Sequence, residues 1–334
     1  GADIYGYDLQ SSKLTSELIL EGMVIHFEDD INQIPNNVSL VVYTPAIPAN
    51  NAEFNYFKSK EIQLIKRAEL IGLITQNYYT IAIAGTHGKT SISALTAHIL
   101  KNAKLNVSAF VGGVCRNYNS NLILSESTDY LVIEADEYDR SLLQIEPNIA
   151  VISSMDADHL DVYNDHDEIK TTFVEFAYKL KPDGILISNS ILGSFDQIDA
   201  KKLTYDAHKY ASCYASNIII KKGKFVIDIV TPDGEISDVI IQVPGIHNIE
   251  NTLAAVAVAV EIGLSSTQIK DGIESFKGVE RRMDYRILND DIIYIDDYAH
   301  HPEEIKATVS AVKLLYPNKK ITGIFQPHLY SRTR

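Results

Sequence analysis

An α/β fold is predicted by three features of this chain. Short apolar runs alternate with segments of helical periodicity, the pattern of parallel strands joined by helical crossovers. A glycine-rich run, Gly85-Thr86-His87-Gly88-Lys89-Thr90, falls between an apolar strand and an amphipathic helix. Acids and histidines gather directly after the later strands, where open α/β sheets bind their ligands.

The 334 residues suffice for about two domains, or three small ones, each with its own core. Apolar residues make up 46% and charged residues 22%, which is globular usage and argues against disorder. Lys plus Arg number 30 against 44 for Asp plus Glu, a formal net charge of −14. That balance argues against a general nucleic-acid binder, which needs a basic footprint, but leaves room for small anions held by backbone N–H groups or one lysine. The longest apolar stretch, 253–260, is too short to span a bilayer, so no membrane insertion is expected. Residues 1–5 show no signal-peptide pattern, and Cys115 and Cys213 are too few for a disulfide framework. A cytoplasmic location is the expectation, and oligomeric state stays open.

In chain order, residues 3–8 read as a strand ending in Asp8, placed where dinucleotide folds meet a ribose or base. A helix from about Ser12, a strand at 24–27 and the strand Leu40–Tyr43 follow, the last running into Thr44, Pro45 and Ala46. A strand that starts at residue 3 with nothing before it implies a first domain (1–78) incomplete at its start. A second domain (79–282) opens with the strand Tyr79–Ala84 and continues through strands near 130–133 and 149–152. Between 217 and 243 three β-rich runs are separated by Lys222-Gly223 and Asp233-Gly234, which predicts antiparallel hairpins added to the parallel sheet. The Ala- and Val-rich helix at about 247–262 is apolar nearly all round and should be buried. After Arg281-Arg282 a third domain (283–334) should contain strands at 292–295 and 320–325 around a helix from Pro302, and is expected to be incomplete at its end.

The run Gly85–Thr90 is a shortened phosphate loop. Its glycines permit the tight turn, the following helix offers its N-terminal N–H groups, Lys89 can reach β/γ-phosphates, and Thr90 places a hydroxyl where Mg²⁺ binds. A nucleoside triphosphate is the expected ligand. Glu134, Asp136 and Glu137 follow the next strand and suit a hard cation. Asp156, Asp158, His159 and Asp161 follow the one after, where His159 could ligate a second metal or bond a phosphate. Asn248 and Asn251 share a face of one helical turn; an ordinary helix cap is the simpler reading, and contact with a purine edge the functional one. A helix start explains Pro302, Glu303 and Glu304 but not Asp296, Asp297, His300 and His301 immediately before them.

Taken in order, Gly85–Thr90, 134–137, Asp158-His159, 247–251, Arg281-Arg282, 297–302 and Phe325-Gln326-Pro327-His328 resemble the Mur ligases of peptidoglycan synthesis. The resemblance spans nearly the whole chain and is nearest to the alanine-adding branch, with the tripeptide-recycling branch second. It implies a three-domain architecture: a Rossmann-like N-terminal domain for a UDP-sugar, a central P-loop ATPase domain with added antiparallel strands, and a partial Rossmann-like C-terminal domain. The implied activity is ATP-dependent amide synthesis in which the carboxylate of UDP-N-acetylmuramate becomes an acyl phosphate and L-alanine displaces the phosphate. A nucleotide-binding regulator that makes no amide is the alternative from a different class.

By the same resemblance, Gly85, Thr86, His87, Gly88, Lys89, Thr90 and Ser91 would hold ATP, with Thr90, Glu134 and His159 on Mg²⁺. Asn248 and Asn251 would meet adenine, Asp297 the ribose, and Arg282 the phosphates. His300, His301, His328 and Arg332 would approach the muramate carboxylate or the alanine, while Asp8, Thr44, Pro45 and Ala46 face the UDP-sugar. Two positions depart from the family pattern: Val174 stands where several relatives have a carbamylated lysine, and Leu329 where the alanine-adding branch often has arginine.

Overall fold

The computed structural model describes residues 2–156, 166–221 and 223–326, which divide into two compact units, Gly1–Leu73 and Ile74–Arg334. In the first unit β1 (Tyr5–Tyr7) pairs in parallel with β2 (Val24–His26), and β3 (Leu40–Tyr43) with β4 (Gln63–Lys66). Helices α1 (Lys13–Leu20), α2 (Ala52–Ser59) and α3 (Arg67–Thr75) complete the order. Helix starts are set by local side chains. Ser12 and Thr15 cap α1 reciprocally, and Asn51 caps α2 by accepting from Phe54 N–H at 2.7 Å. Both oxygens of Asp29 take further N–H groups of that first turn, from Ala52 and Glu53.

The second unit is built on a ten-stranded sheet. Its elements are β5 (Tyr79–Ala84), α4 (Lys89–Asn102), β6 (Val107–Cys115), β7 (Ser120–Ile123), β8 (Tyr130–Ala135), β9 (Ile149–Ile152), α5 (His166–Ala177), β10 (Ile185–Asn189), β11 (Lys201–Asp206), β12 (Cys213–Lys221), β13 (Lys224–Thr231), β14 (Gly234–Ile241), α6 (Ile246–Glu261) and α7 (Ser266–Ser275). The strand order is β14-β13-β12-β11-β10-β9-β5-β8-β6-β7. The strands from β6 through β12 run parallel, whereas β12-β13-β14 and the edge strand β7 pair antiparallel. The expected hairpins therefore form.

Strand β5 pairs with β8 and β9 along its two edges, and the burial of successive residues along it shows that both of its faces are covered as well. That explains why its sequence is apolar without alternation: Ile81, Ala82, Ile83 and Ala84 are all fully buried. Helix α6 packs against α4, and its residues 252–260 are buried throughout, as its composition requires. Both cysteines are buried free thiols, and burial pushes Cys213 up to about 12, so neither is a poised nucleophile.

Beyond α7, β15 (Asp284–Leu288) and β16 (Ile293–Asp296) form an antiparallel pair, followed by α8 (Pro302–Leu315) with proline in its first turn. The strand expected at 320–325 does not form. Among the described residues nothing pairs with this segment, and Ile324 is 97% exposed. Apolar composition cannot make a strand whose backbone groups have no ladder to join.

His98 on α4 makes its ring part of this packing. Its Nδ1 lies 2.9 Å from the Tyr118 hydroxyl and its Nε2 3.0 Å from the Ser275 hydroxyl, and burial lowers it to about 4. Between about pH 6.5 and pH 4 the unfolded chain takes up a proton at this histidine that the folded chain refuses. Stability should therefore fall as pH drops through that window. The urea midpoint measured across it should flatten in His98→Gln, and an unchanged slope would contradict the assignment.

Candidate active site

The buried strand β5 delivers the chain to Gly85 at φ +137°, and Gly88, at φ +84°, opens α4. Both conformations are ones that side chains with a Cβ avoid. Space forbids a Cβ as well: at Gly88 it would lie 2.6 Å from Asn251 Oδ1, and at Gly85 only 2.1 Å from Ser153 Oγ. The loop rests on the end of β9, where Ser154 Oγ accepts from His87 N–H at 2.8 Å and shares a hydrogen bond with the Thr86 hydroxyl at 2.9 Å. Lys89 Nζ turns back to the Gly85 carbonyl at 2.7 Å and donates to both oxygens of Glu137, at 2.9 and 2.7 Å. The Glu137 side chain is 1% exposed, and burial pushes its carboxyl up while Lys89 opposes the shift.

Glu134, near the end of β8, faces the first turn of α4. Thr90 Oγ1 donates to it at 3.3 Å and Ser93 Oγ at 3.2 Å, and Gly112 N–H on β6 donates to the same carboxylate. Burial raises the Glu134 carboxyl, against the hydrogen bond from Gly112 and the charge of Lys89. A Cβ on residue 112 would lie 2.6 Å from Glu134 Oε2, so glycine is needed for this approach. The Thr90 hydroxyl and the Glu134 carboxylate are hard oxygen donors side by side at a phosphate loop, which suits Mg²⁺ completed by phosphate oxygens and water. Among the described residues no group of three or more His, Cys, Asp or Glu is arranged to hold a metal unaided.

The segment after α7 closes on the same edge of the sheet. His87 Nδ1 lies 3.3 Å from Glu304 Oε1 and its Nε2 3.5 Å from Asp156 Oδ2. Glu304 Oε2 accepts from the N–H groups of His300 and His301 at 3.1 and 3.3 Å. Burial alone would raise Glu304, yet His87, these two N–H groups and the charge of His300 hold it down at about 2. Arg281 and Arg282 lie over the Tyr298 ring, 5.2 and 5.3 Å from its centroid. Asp297 accepts from Met283 N–H and Ala299 N–H at 2.7 Å each, and its carboxyl is raised by burial.

Asn248 is not a helix cap. Gly245 begins α6, and Asn248 Nδ2 donates instead to the Pro244 carbonyl at 2.6 Å, within reach of His247 Nε2 at 3.0 Å. Its own carbonyl accepts from Asn251 Nδ2 at 3.1 Å. Burial lowers His247 to about 4, leaving a neutral ring as acceptor. Both amides line a shallow cleft with Ser91, Leu95, Phe276 and Arg282 among its walls.

The structure thus brings together Gly85, Thr86, His87, Gly88, Lys89, Thr90, Glu134, Asn251, His301 and Glu304 at one sheet edge, with Asn248, Arg282 and Asp297 alongside. In the first unit, Asp8 directly follows β1 and accepts from Gln10 N–H, while Thr44, Pro45 and Ala46 turn after β3. His159, His328, Leu329 and Arg332 lie outside the described residues. Val174 sits half-buried on α5. Sequence reasoning missed Gly112, Ser93 and Glu304 as partners within the site, and it read Glu137 with its neighbours as suited to a cation where the structure pairs it with Lys89. The acids were visible only as members of acidic runs, and nothing local marked what each would meet in space.

Comparison with known proteins gives these features a context. The family model described as Mur ligase middle domain matches residues 83–259, Mur ligase family catalytic domain matches 1–79, and Mur ligase, glutamate ligase domain matches 281–334. The chain is 46% identical over 338 residues to a UDP-N-acetylmuramate–L-alanine ligase of Flavobacterium psychrophilum, covering 100% of this chain and 74% of that protein. It is 43% identical to the same-named protein of Parabacteroides distasonis, again over 100% and 74%. In structure it is similar to the UDP-N-acetylmuramate-alanine ligase of Thermotoga maritima, with a TM-score of 0.83 at 24% identity over 97% of this chain and 75% of that one. A murein peptide ligase of Psychrobacter arcticus gives 0.76 at 22% identity, over 95% and 72%. The chain belongs to the Mur ligase family.

Proposed function

We propose that this protein joins L-alanine to the carboxylate of UDP-N-acetylmuramate at the expense of ATP, in the synthesis of peptidoglycan precursors. The relatives that match its whole length bear that activity in their names. The observation that carries the reading is the convergence of Lys89, the Thr90–Glu134 pair and the 281–304 segment on one sheet edge. No described helix is long and apolar enough to cross a membrane, and a cytoplasmic site of action fits an ATP-dependent step. In this reading residues 1–78 take the UDP-sugar, 79–282 the ATP and 283–334 the amino acid.

A carboxylate and an ammonium group do not condense in water, so the carboxylate needs a leaving group. Attack of a muramate oxygen on the γ-phosphate gives an acyl phosphate and ADP, and the alanine amine then displaces phosphate to form the amide. Both partners of the first step are anions, so the site must neutralise charge in a desolvated space. The loop amides and Lys89 face the triphosphate, with Arg282 reaching from the linker. Thr90 and Glu134 would hold Mg²⁺, which supplies charge neutralisation on the phosphates when bound. Asn248 and Asn251 line the cleft beside the loop, where they would meet the base. His300 and His301, ahead of α8, stand where the acceptor chemistry would need a polar surface.

Phosphate release from ATP should require UDP-N-acetylmuramate and L-alanine together, assayed colorimetrically. Release that needs a tripeptide instead would move the protein to the recycling branch, and ATP binding without sugar-nucleotide binding in titration calorimetry would indicate a regulator. Lys89→Ala should lower kcat by about 10²–10³ while sugar-nucleotide affinity stays within a factor of two. Normal turnover would refute the role given to the loop. Gly112→Ala should displace the Glu134 carboxylate and raise the Mg²⁺ concentration for half-maximal rate about tenfold or more; an unshifted Mg²⁺ titration would remove Glu134 from the metal.

A further inference from the structure

The carboxylate of Glu304 is divided between two segments far apart in the sequence. One oxygen meets His87 in the phosphate loop at 3.3 Å, and the other gathers the N–H groups of His300 and His301 at 3.1 and 3.3 Å. The second set is what a first-turn glutamate does for its own helix, and it would be complete without residue 87. The first contact belongs to no helix-start pattern. The His87 and His301 rings add to the junction, with centroids 5.6 Å apart. The Glu304 side chain is 19% exposed, so water screens the junction only in part. One side chain in one rotamer serves both sets, so the phosphate loop and the run before α8 cannot shift independently while both contacts hold.

We propose that Glu304 is a positioning residue that registers the 298–304 run on the phosphate loop through His87, so that His300 and His301 are set by the same contact that shapes the loop. The catalytic part of this proposal rests on the amide-forming reading above; the mechanical part does not. A capping role alone would make the loop indifferent to residue 304 and the run before α8 indifferent to residue 87. Registration makes each respond to the other.

Both parts are testable on the full chain with His87→Ala, Glu304→Gln and the double variant. Glutamine keeps an oxygen for the His300 and His301 N–H groups, so α8 retains its start. In amide hydrogen exchange followed by mass spectrometry, His87→Ala should speed exchange of peptides covering 298–306 about fivefold or more, although residue 87 bonds none of their amides. Glu304→Gln should do the same for peptides covering 85–92. In the alanine-adding assay each single variant should lower kcat about tenfold, with KM for ATP changing less, and the double variant should lose no more than either single. Wild-type exchange at 298–306 in His87→Ala, or losses that multiply in the double variant, would overturn the proposal. Absence of alanine-dependent turnover in the wild-type protein would instead sink the functional reading and leave the exchange result to decide the mechanical one.

Discussion

The ammonium of Lys89, bound to both oxygens of the buried Glu137 and to the Gly85 carbonyl, closes the phosphate loop on itself. Removing either partner from such a pair strands the other charge in a poorly solvated place, so the pair fixes both side chains. It also fixes the ends of the loop, because Gly85 leaves β5 and Lys89 begins α4. The neighbouring carboxylate, Glu134, is raised by burial and lowered by the same ammonium, so one positive charge serves two acids. In the proposed reaction an arriving triphosphate would have to compete with Glu137 for that charge. A cation held by Glu134 and Thr90 would ease that exchange by adding positive charge where an acidic protein has little.

The scaffold behind the pair explains its precision. β5 is buried on both faces, and α4 is held by α6 and α7, so the two elements that join at the loop have little freedom. The chemistry then falls at the carboxyl ends of neighbouring parallel strands, where chain exits from β5, β8 and β9 lie side by side.

Much of this was legible in the sequence where the signal is local. The glycine-rich run between a strand and a helix, the Gly-containing turns of the hairpins and the apolar body of α6 each carry their reason within a few residues. Other features depend on partners distant in the chain. Glu137 matters because Lys89 reaches it, Gly112 because Glu134 approaches it, and Glu304 because His87 lies opposite. Local reading misjudged Asn248, whose position near a helix start suggested a cap; the backbone turns at Gly245, which places the amide inside the turn and against Pro244. It also overreached at 320–325, where composition favoured a strand and no neighbour completes one.

The contact between position 88 and Asn251 has a consequence for how such a sequence can vary. The loop that would meet the phosphates and the amide that would meet the base touch each other, with no room for a methyl group between them. The two positions are therefore not free to drift separately. Any enlargement at 88 would push the Asn251 amide aside, and with it the edge that it offers in the cleft. Glycine at the turn and asparagine on the helix therefore act as one constraint, which in the proposed reaction would serve both ends of the nucleotide.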